Sequence, residues 1–341
     1  MAAIDATPSV CLDLGDGISR IDSLHQRPGL AAFYLLIHRG HAAFIDTGTN
    51  HSLGQAVAAL RAHGLAPEQV AYVIPTHVHL DHAGGAGAMM RTFTNATLVV
   101  HPRGARHLID PGKLMAGSLA VYGVEQTARN FGELAPVPAA RVIEAPDNFT
   151  LDLNGRELLF LDTPGHARHH FCVVDAHSDS IFTGDTFGIS YREFDTERGA
   201  FIFPTTTPVQ FDPDTLHTSI DRLLTYQPRQ MLLTHFGRVT EITRLASDMH
   251  TLIDTFADLG RRLKDAGAER HRLLKQGQRD VLLPRLRAHG CRLSDANVEF
   301  LMEGDYELNA QGIEVWLDRA AGQRAETTDQ RSTGADDAKP L

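Results

Sequence analysis

The chain has 341 residues, 43% apolar and 22% charged, enough for a dry core, which excludes a wholly disordered polymer. Its formal net charge of −10 excludes a surface that grips nucleic acid over its whole extent, though not a local basic face. Cys11, Cys172 and Cys291 lie far apart with no paired spacing, which excludes a disulfide framework or a thiolate zinc finger and points to a reducing compartment.

Met1–Leu14 carries no basic segment followed by an apolar stretch, and no run approaches the ~20 apolar residues of a membrane span. The expectation is a cytoplasmic protein with no membrane partner. Ala31–Ile37 and His41–Ile45 are rich in strand formers and flank Gly40, which predicts a β-hairpin leading into Asp46-Thr47-Gly48. Ala56, Val57 and Leu60 before Gly64 predict a helix, and Val70–Ile74 a buried strand that runs into Thr76 and His77. The same grammar recurs at Ala96–Val100 before His101, Glu157–Leu161 before Thr163-Pro164-Gly165-His166, Ile181–Thr183 before Gly184-Asp185, and Met231–Thr234 before His235. Strands interleaved with helices predict an α/β layered architecture, whose strand ends present polar groups on rigid supports.

Beyond Thr240 the pattern changes. Ile242, Leu245, Met249, Leu252, Ile253, Phe256, Leu259 and Leu263 recur at helical spacing. Further apolar clusters at Leu273-Leu274, Val281–Leu283 and Val298–Leu301 predict more helices, with Ser294 as an N-cap. Ile313–Leu317 fits a last helix or strand. The expected organisation is a catalytic domain over 1–240, a helical C-terminal domain over 241–319, and a polar, disordered tail over 320–341.

The chemistry concentrates in Thr76-His77-Val78-His79-Leu80-Asp81-His82-Ala83-Gly84-Gly85, with three imidazoles and a carboxylate within six positions. In a tight loop His77 and His79 point the same way while Asp81 and His82 swing toward a neighbouring point, which suits two adjacent cations. This His-x-His-x-Asp-His run resembles the signature of the metallo-β-lactamase superfamily. Thr163-Pro164-Gly165-His166, Thr183-Gly184-Asp185 and Thr234-His235 follow in that family's order, and Asp46-Thr47-Gly48 resembles its loop beneath the site. The resemblance covers roughly Ala31 to Gly237.

It implies a four-layer αβ/βα sandwich with a C-terminal helical appendage. It also implies one metal on His77, His79 and His166, another on Asp81, His82 and His235, and Asp185 bridging them. Two divalent ions are expected, zinc first, with iron or manganese accepted by the same donors. Ions ~3.5–4 Å apart share a water and lower its pKa toward neutrality, which supplies a hydroxide nucleophile. Asp81 is the expected catalytic residue, orienting that water or relaying its proton. Cys172 reads as a buried strand residue.

Three further residues are candidates for substrate contact. His166-x-x-x-His170 resembles the pattern of a ribonuclease-like branch whose second histidine lies near the site, and Tyr191 and Arg192 are suitable donors to a carbonyl or phosphate oxygen. From Arg261 to Ala288 nine basic residues face three acidic ones, a local excess that suits an anionic substrate if the helices cover the cleft. The leading expectation is hydrolysis of an ester, thioester or lactone in a small, anionic metabolite, an arrangement similar to glyoxalase II. The sequence shows no glutathione-contacting residues. An RNA phosphodiesterase, with nucleic acid as partner, and a non-haem iron dioxygenase are the alternatives on the same scaffold. The apolar helix faces also admit a homodimer.

Overall fold

The computed structural model describes residues 10–333. The first sheet follows chain order: β1 (Cys11–Gly15), β2 (Ile18–Asp22), β3 (Ala32–His38), β4 (His41–Ile45), β5 (Val70–Ile74), β6 (Thr97–Val100) and β7 (Val142–Glu144). It is antiparallel through β4 and parallel from β4 to β7. The second runs in reverse order from β13 (Gly237–Val239) through β12 (Gln230–Leu233), β11 (Ser180–Gly184), β10 (Phe171–Asp175) and β9 (Glu157–Asp162) to β8 (Thr150–Asp152). The expected hairpin is β3–β4, with His38 opposite His41.

Alternation along the strands builds three apolar layers. Tyr34 and Leu36 of β3 meet Phe171 and Val173 of β10 between the sheets, with Ile45, Phe182 and Leu232. Phe33 and Leu35 face the other way, toward helices α1 (Leu53–Ala62), α2 (Leu80–Ala83), α3 (Ala86–Thr92) and α4 (Pro102–Ile109), which contribute Leu60, Ala83, Met89 and Leu108. Because both faces of each sheet are covered, these strands read as continuous apolar runs without polar alternation. Each fully buried Leu or Phe contributes ~1.5–3 kcal/mol relative to exposure. A further helix, α5 (Gly112–Phe131), was not signalled by its sequence; Gly123 interrupts its helical geometry with a positive φ.

The fourth layer consists of α6 (Pro213–Leu224), α7 (Ile242–Leu263), α8 (Arg270–His289) and α9 (Asp295–Thr333). Leu216, Met249, Leu274, Met302 and Ile313 from these helices share one cluster with Cys172, Ile181, Met231 and Leu233 of the second sheet. The helices expected to form a separate domain from 241 thus lie on the core of the sheet that precedes them. The molecule has the expected four-layer α/β sandwich with C-terminal helices. Ser294 does cap α9, accepting from the Asn297 amide at 3.2 Å.

The tail expected from 320 differs. Helix α9 passes Arg319 and continues to Thr333. Residues 320–333 contain no proline, and Ala320, Ala321 and Arg324 are among the better helix formers. Residues 334–341 of that expected tail lie outside the described residues, as do residues 1–9 of the N-terminal segment. No helix among the described residues is long and apolar enough to cross a membrane.

Candidate metal centre

Asp46, just after β4, organises the ends of both sheets. One carboxylate oxygen accepts from the Thr76 amide at 2.7 Å and the Thr76 hydroxyl at 2.9 Å. The other accepts from the Thr234 hydroxyl at 2.6 Å and faces His82 Nδ1 at 2.9 Å. The loop after β5, the short helix α2 and the turn after β12 are thereby tied to one group. Two glycines are required by close approach. A Cβ on Gly85 would sit 2.8 Å from the Thr47 and Thr49 carbonyl oxygens, and one on Gly184 would sit 2.5 Å from His170 Nε2 and 2.6 Å from Thr76 Oγ1. Gly184 also takes φ +48°, a region costly for side-chain-bearing residues.

These supports bring seven side chains together in two groups. His77 Nε2 lies 2.9 Å from His79 Nδ1, which lies 3.1 Å from His166 Nε2, itself 3.3 Å from Asp185 Oδ2. Across the site Asp185 Oδ1 is 3.2 Å from His82 Nε2 and 3.6 Å from His235 Nε2. Asp81 Oδ2 closes the second group, 3.2 Å from His235 Nε2 and 3.5 Å from His82 Nε2. Within each group the candidate donor atoms lie within 4.8 Å of one another. Asp185 turns one oxygen to each group, the geometry a shared ligand needs.

The proton inventory shows what these groups lack. His166 Nδ1 faces the Thr205 carbonyl at 3.5 Å, His235 Nδ1 the Leu30 carbonyl at 2.8 Å, and His82 Nδ1 the Asp46 carboxylate. His77 Nδ1 lies 3.2 Å from the Thr76 hydroxyl, whose own proton goes to Asp46. A neutral imidazole carries one proton, so in their neutral form these four rings turn their Nε2 lone pairs inward. His82 Nε2 and Asp185 Oδ1 are buried without a hydrogen-bond partner. Lone pairs facing lone pairs at ~3 Å need protons or cations between them.

The electrostatics agree. Burial lowers the pKa of His82, but Asp185, Asp81 and Asp46 outweigh it and lift the ring well above its ordinary value. His235, under the same burial, is lifted by Asp185 and Asp81 to about 9. Burial and neighbouring imidazoles hold His77 and His79 well below the ordinary range, and burial also lowers His166. Asp185 is held far down despite burial, because His82, His235 and His166 surround it. The site demands positive charge, and its donor set of imidazoles and carboxylates fits divalent cations, which occupy such positions when the ligands are deprotonated. His77, His79, His166 and Asp185 could hold one, and Asp81, His82, His235 and Asp185 the other.

The residues expected to contact substrate are placed differently. His170 is fully buried, its Nε2 accepting from the Asp185 amide at 3.1 Å and its Nδ1 facing the Thr163 and Thr186 hydroxyls at 3.0 and 3.2 Å. It holds the backbone of Asp185 and has no ring nitrogen left for a substrate. Tyr191 is buried too, and its hydroxyl donates to Asp305 at 3.0 Å, fastening the loop after β11 to α9. Arg192 folds back on its own loop, bonding the Ser190 carbonyl at 2.7 Å and pairing with Asp195 at 3.3 Å. In each case a partner distant in sequence, or a local turn, claims the polar atoms. Cys172 is buried as expected, and burial pushes its thiol up to about 12.

The basic run after Arg261 is also not a free face. Arg261, Lys264, Arg270, Arg272, Lys275, Arg279 and Arg287, seven of its nine basic residues, pair with carboxylates, several of them on α9. Sequence reasoning missed Asp305, which burial lifts to about 6, and Arg27, which lies 4.6 Å over the Tyr191 ring and pairs with Glu193 at 2.7 Å. Neither sits in a motif, so no local signal marks them.

Comparison with known proteins gives the geometry its lineage. The chain is 26% identical over 222 residues to a metallo-beta-lactamase fold-containing protein of Sulfurisphaera tokodaii, covering 62% of this chain and 75% of that one. It is 26% identical over 156 residues to the atrochrysone carboxyl ACP thioesterase of Aspergillus fumigatus, a match covering 45% of this chain and only 38% of the relative. The crystal structure of a metallo-beta-lactamase family protein from Thermus thermophilus shares the fold, with a TM-score of 0.64 at 19% identity over 91% of this chain and 95% of that one. The sequence profile of the metallo-beta-lactamase superfamily matches residues 27–235, a span that includes all seven clustered side chains from His77 to His235, and the chain belongs to that superfamily.

Proposed function

We propose that the protein is a dinuclear zinc hydrolase that cleaves thioesters. The observation that carries the reading is the convergence of imidazoles and carboxylates in two groups on the two oxygens of Asp185. His77, His79 and His166 would hold one ion, Asp81, His82 and His235 the other, with Asp185 shared. Two such ions supply a water of lowered pKa and polarise the acyl oxygen.

The chain supplies the rest. Asp81, like His79, is only partly buried, and one of its oxygens faces His235. Its carboxylate is placed to take a proton from the attacking water and return it to the leaving sulfur, so that thioester and water become acid and thiol. No side-chain nucleophile is required, and the buried Cys172 offers none. The thioester choice draws on the partial match to a fungal thioesterase.

The test is metal content per chain after purification without added metal, paired with turnover of a thioester panel by the same preparation. About two zinc ions per chain with release of free thiol supports the reading. Two ions with turnover of lactones or oxygen esters alone moves it to another acyl class. Iron with oxygen consumption and no hydrolysis overturns it.

A further inference from the structure

A cavity of about 630 Å³ opens beside the metal centre, in the size range of small-molecule sites. Arg103 and Arg106 of α4, Arg168 and His169 of the ligand loop, Arg319 of α9 and Asp212 all line it. The imidazole of His169 separates it from the centre, its ring centroid 6.2 Å from that of His77 and 5.7 Å from that of His79.

What sets the four arginines apart is that they share one cavity wall; single arginines without an ion pair among the described residues, such as Arg61 and Arg91, occur elsewhere in the molecule. Among the described residues, none of the four lies within ion-pair distance of a carboxylate, whereas Arg156, Arg222, Arg244 and Arg270 all do. Arg103 donates to the Arg168 carbonyl at 3.1 Å, Arg319 to the Val209 carbonyl at 3.0 Å, and Arg106 to His107 at 3.3 Å. These bonds aim the guanidiniums and leave most of their five donors free. The one carboxylate in the wall, Asp212, is committed as the N-cap of α6, accepting from the Thr215 amide at 3.0 Å.

Four convergent guanidiniums against one engaged carboxylate need more than one negative charge. Their planar forks match phosphate oxygens two at a time. Resting on the thioester reading above, we propose that this cavity binds the phosphate groups at the non-reacting end of the substrate, so that the scissile thioester belongs to a phosphorylated carrier thiol. A bounded pocket suits such a small molecule better than an RNA strand, which needs a continuous basic track. The remaining basic run on α7 and α8 is mostly paired and offers none.

The experiment compares the holoenzyme with an R103A/R168A variant, both positions solvent-exposed, and with an R272A control on α8. Acetyl thioesters of coenzyme A, phosphopantetheine and pantetheine serve as substrates, and adenosine 3′,5′-bisphosphate as a non-reacting probe in calorimetry. The parent and the control are expected to show a KM about tenfold or more lower for a phosphorylated thioester than for the pantetheine one. The double variant is expected to lose that preference, and bisphosphate affinity with it. Preference for coenzyme A alone assigns the site to the nucleotide phosphates, and equal preference for phosphopantetheine to the phosphate of the arm.

Equal KM values for all three substrates in the parent, or bisphosphate binding indifferent to the double variant, overturns the proposal. So does tight, arginine-dependent binding of a short single-stranded RNA by a protein that ignores the bisphosphate. If no thioester is turned over, the function proposed above fails, while the calorimetry still judges the cavity by itself.

Discussion

The metal centre and the arginine cavity lie one imidazole apart, and each is left with a charge demand of opposite sign. In the centre Asp46, Leu30 and Thr205 occupy the outer nitrogens of the histidines, and what remains facing inward is lone pairs and carboxylates. In the cavity, carbonyl oxygens and a neighbouring ring steady the arginines, and no carboxylate answers them. At the buried Arg156–Asp175 pair, by contrast, the protein completes its own charges. The sign of each deficit matches the class of partner proposed for it, cations for the one and phosphate for the other.

The sharpest way to break this comparison is Asp185→Ala. Both donor groups meet on that carboxylate, so the variant is expected to lose at least one ion per chain and roughly a thousandfold in turnover, measured by metal analysis and steady-state kinetics. Two ions retained with full activity would remove the bridging role. Asp46→Asn tests the outer support. It keeps the shape but weakens the acceptor behind His82, and metal affinity should drop about 10- to 100-fold in competition with a chelator.

A milder probe is Asp305, a carboxylate that neither demand satisfies. Burial raises its pKa from 3.8 to about 6, so the folded state favours its protonated form. The stability this contributes is present below the ordinary carboxylate range and lost as pH rises through about 6. Asp305→Asn should therefore gain in melting temperature relative to the parent between pH 4 and pH 8; a difference that does not change with pH would show that Asp305 carries no such penalty. The smallest effect is expected from Arg272→Ala. Its pairing with Glu269 is exposed and already complete, so stability should shift by less than about 0.5 kcal/mol. A large loss there would mean that paired surface arginines matter as much as unpaired ones.

The candidate ligands were legible as a cluster because the chain gathers them. Four lie within six positions, and His166, Asp185 and His235 each follow an apolar strand and a turn that the pattern already marks. Asp46 was legible as a loop beneath the site, but not its four hydrogen bonds, which come from three separate segments. The substrate contacts were misplaced for a related reason. A sequence displays a donor such as Tyr191 without displaying Asp305, more than a hundred positions later, that takes its proton. Charge behaves likewise. The conspicuous basic run at 261–288 is mostly neutralised by acids such as Glu307, Glu314 and Asp318 on the next helix. The cavity's arginines, scattered from 103 to 319, never form a local excess at all.

The shared core of the second sheet and helices α6–α9 bears on modularity. Cutting after Thr240 would strip Leu245, Met249, Ile253 and Phe256 from the cluster that also buries Ile181, Met231 and Leu233. At ~1.5–3 kcal/mol for each large apolar side chain, these four contacts alone are comparable with the ~5–15 kcal/mol that typically separates folded from unfolded domains. The C-terminal helices are thus not a transplantable accessory. A graft or swap of them has to carry the outward-facing residues of the strands that lead to Asp185 and His235, so in this architecture the fourth layer and the second sheet are inherited as one piece.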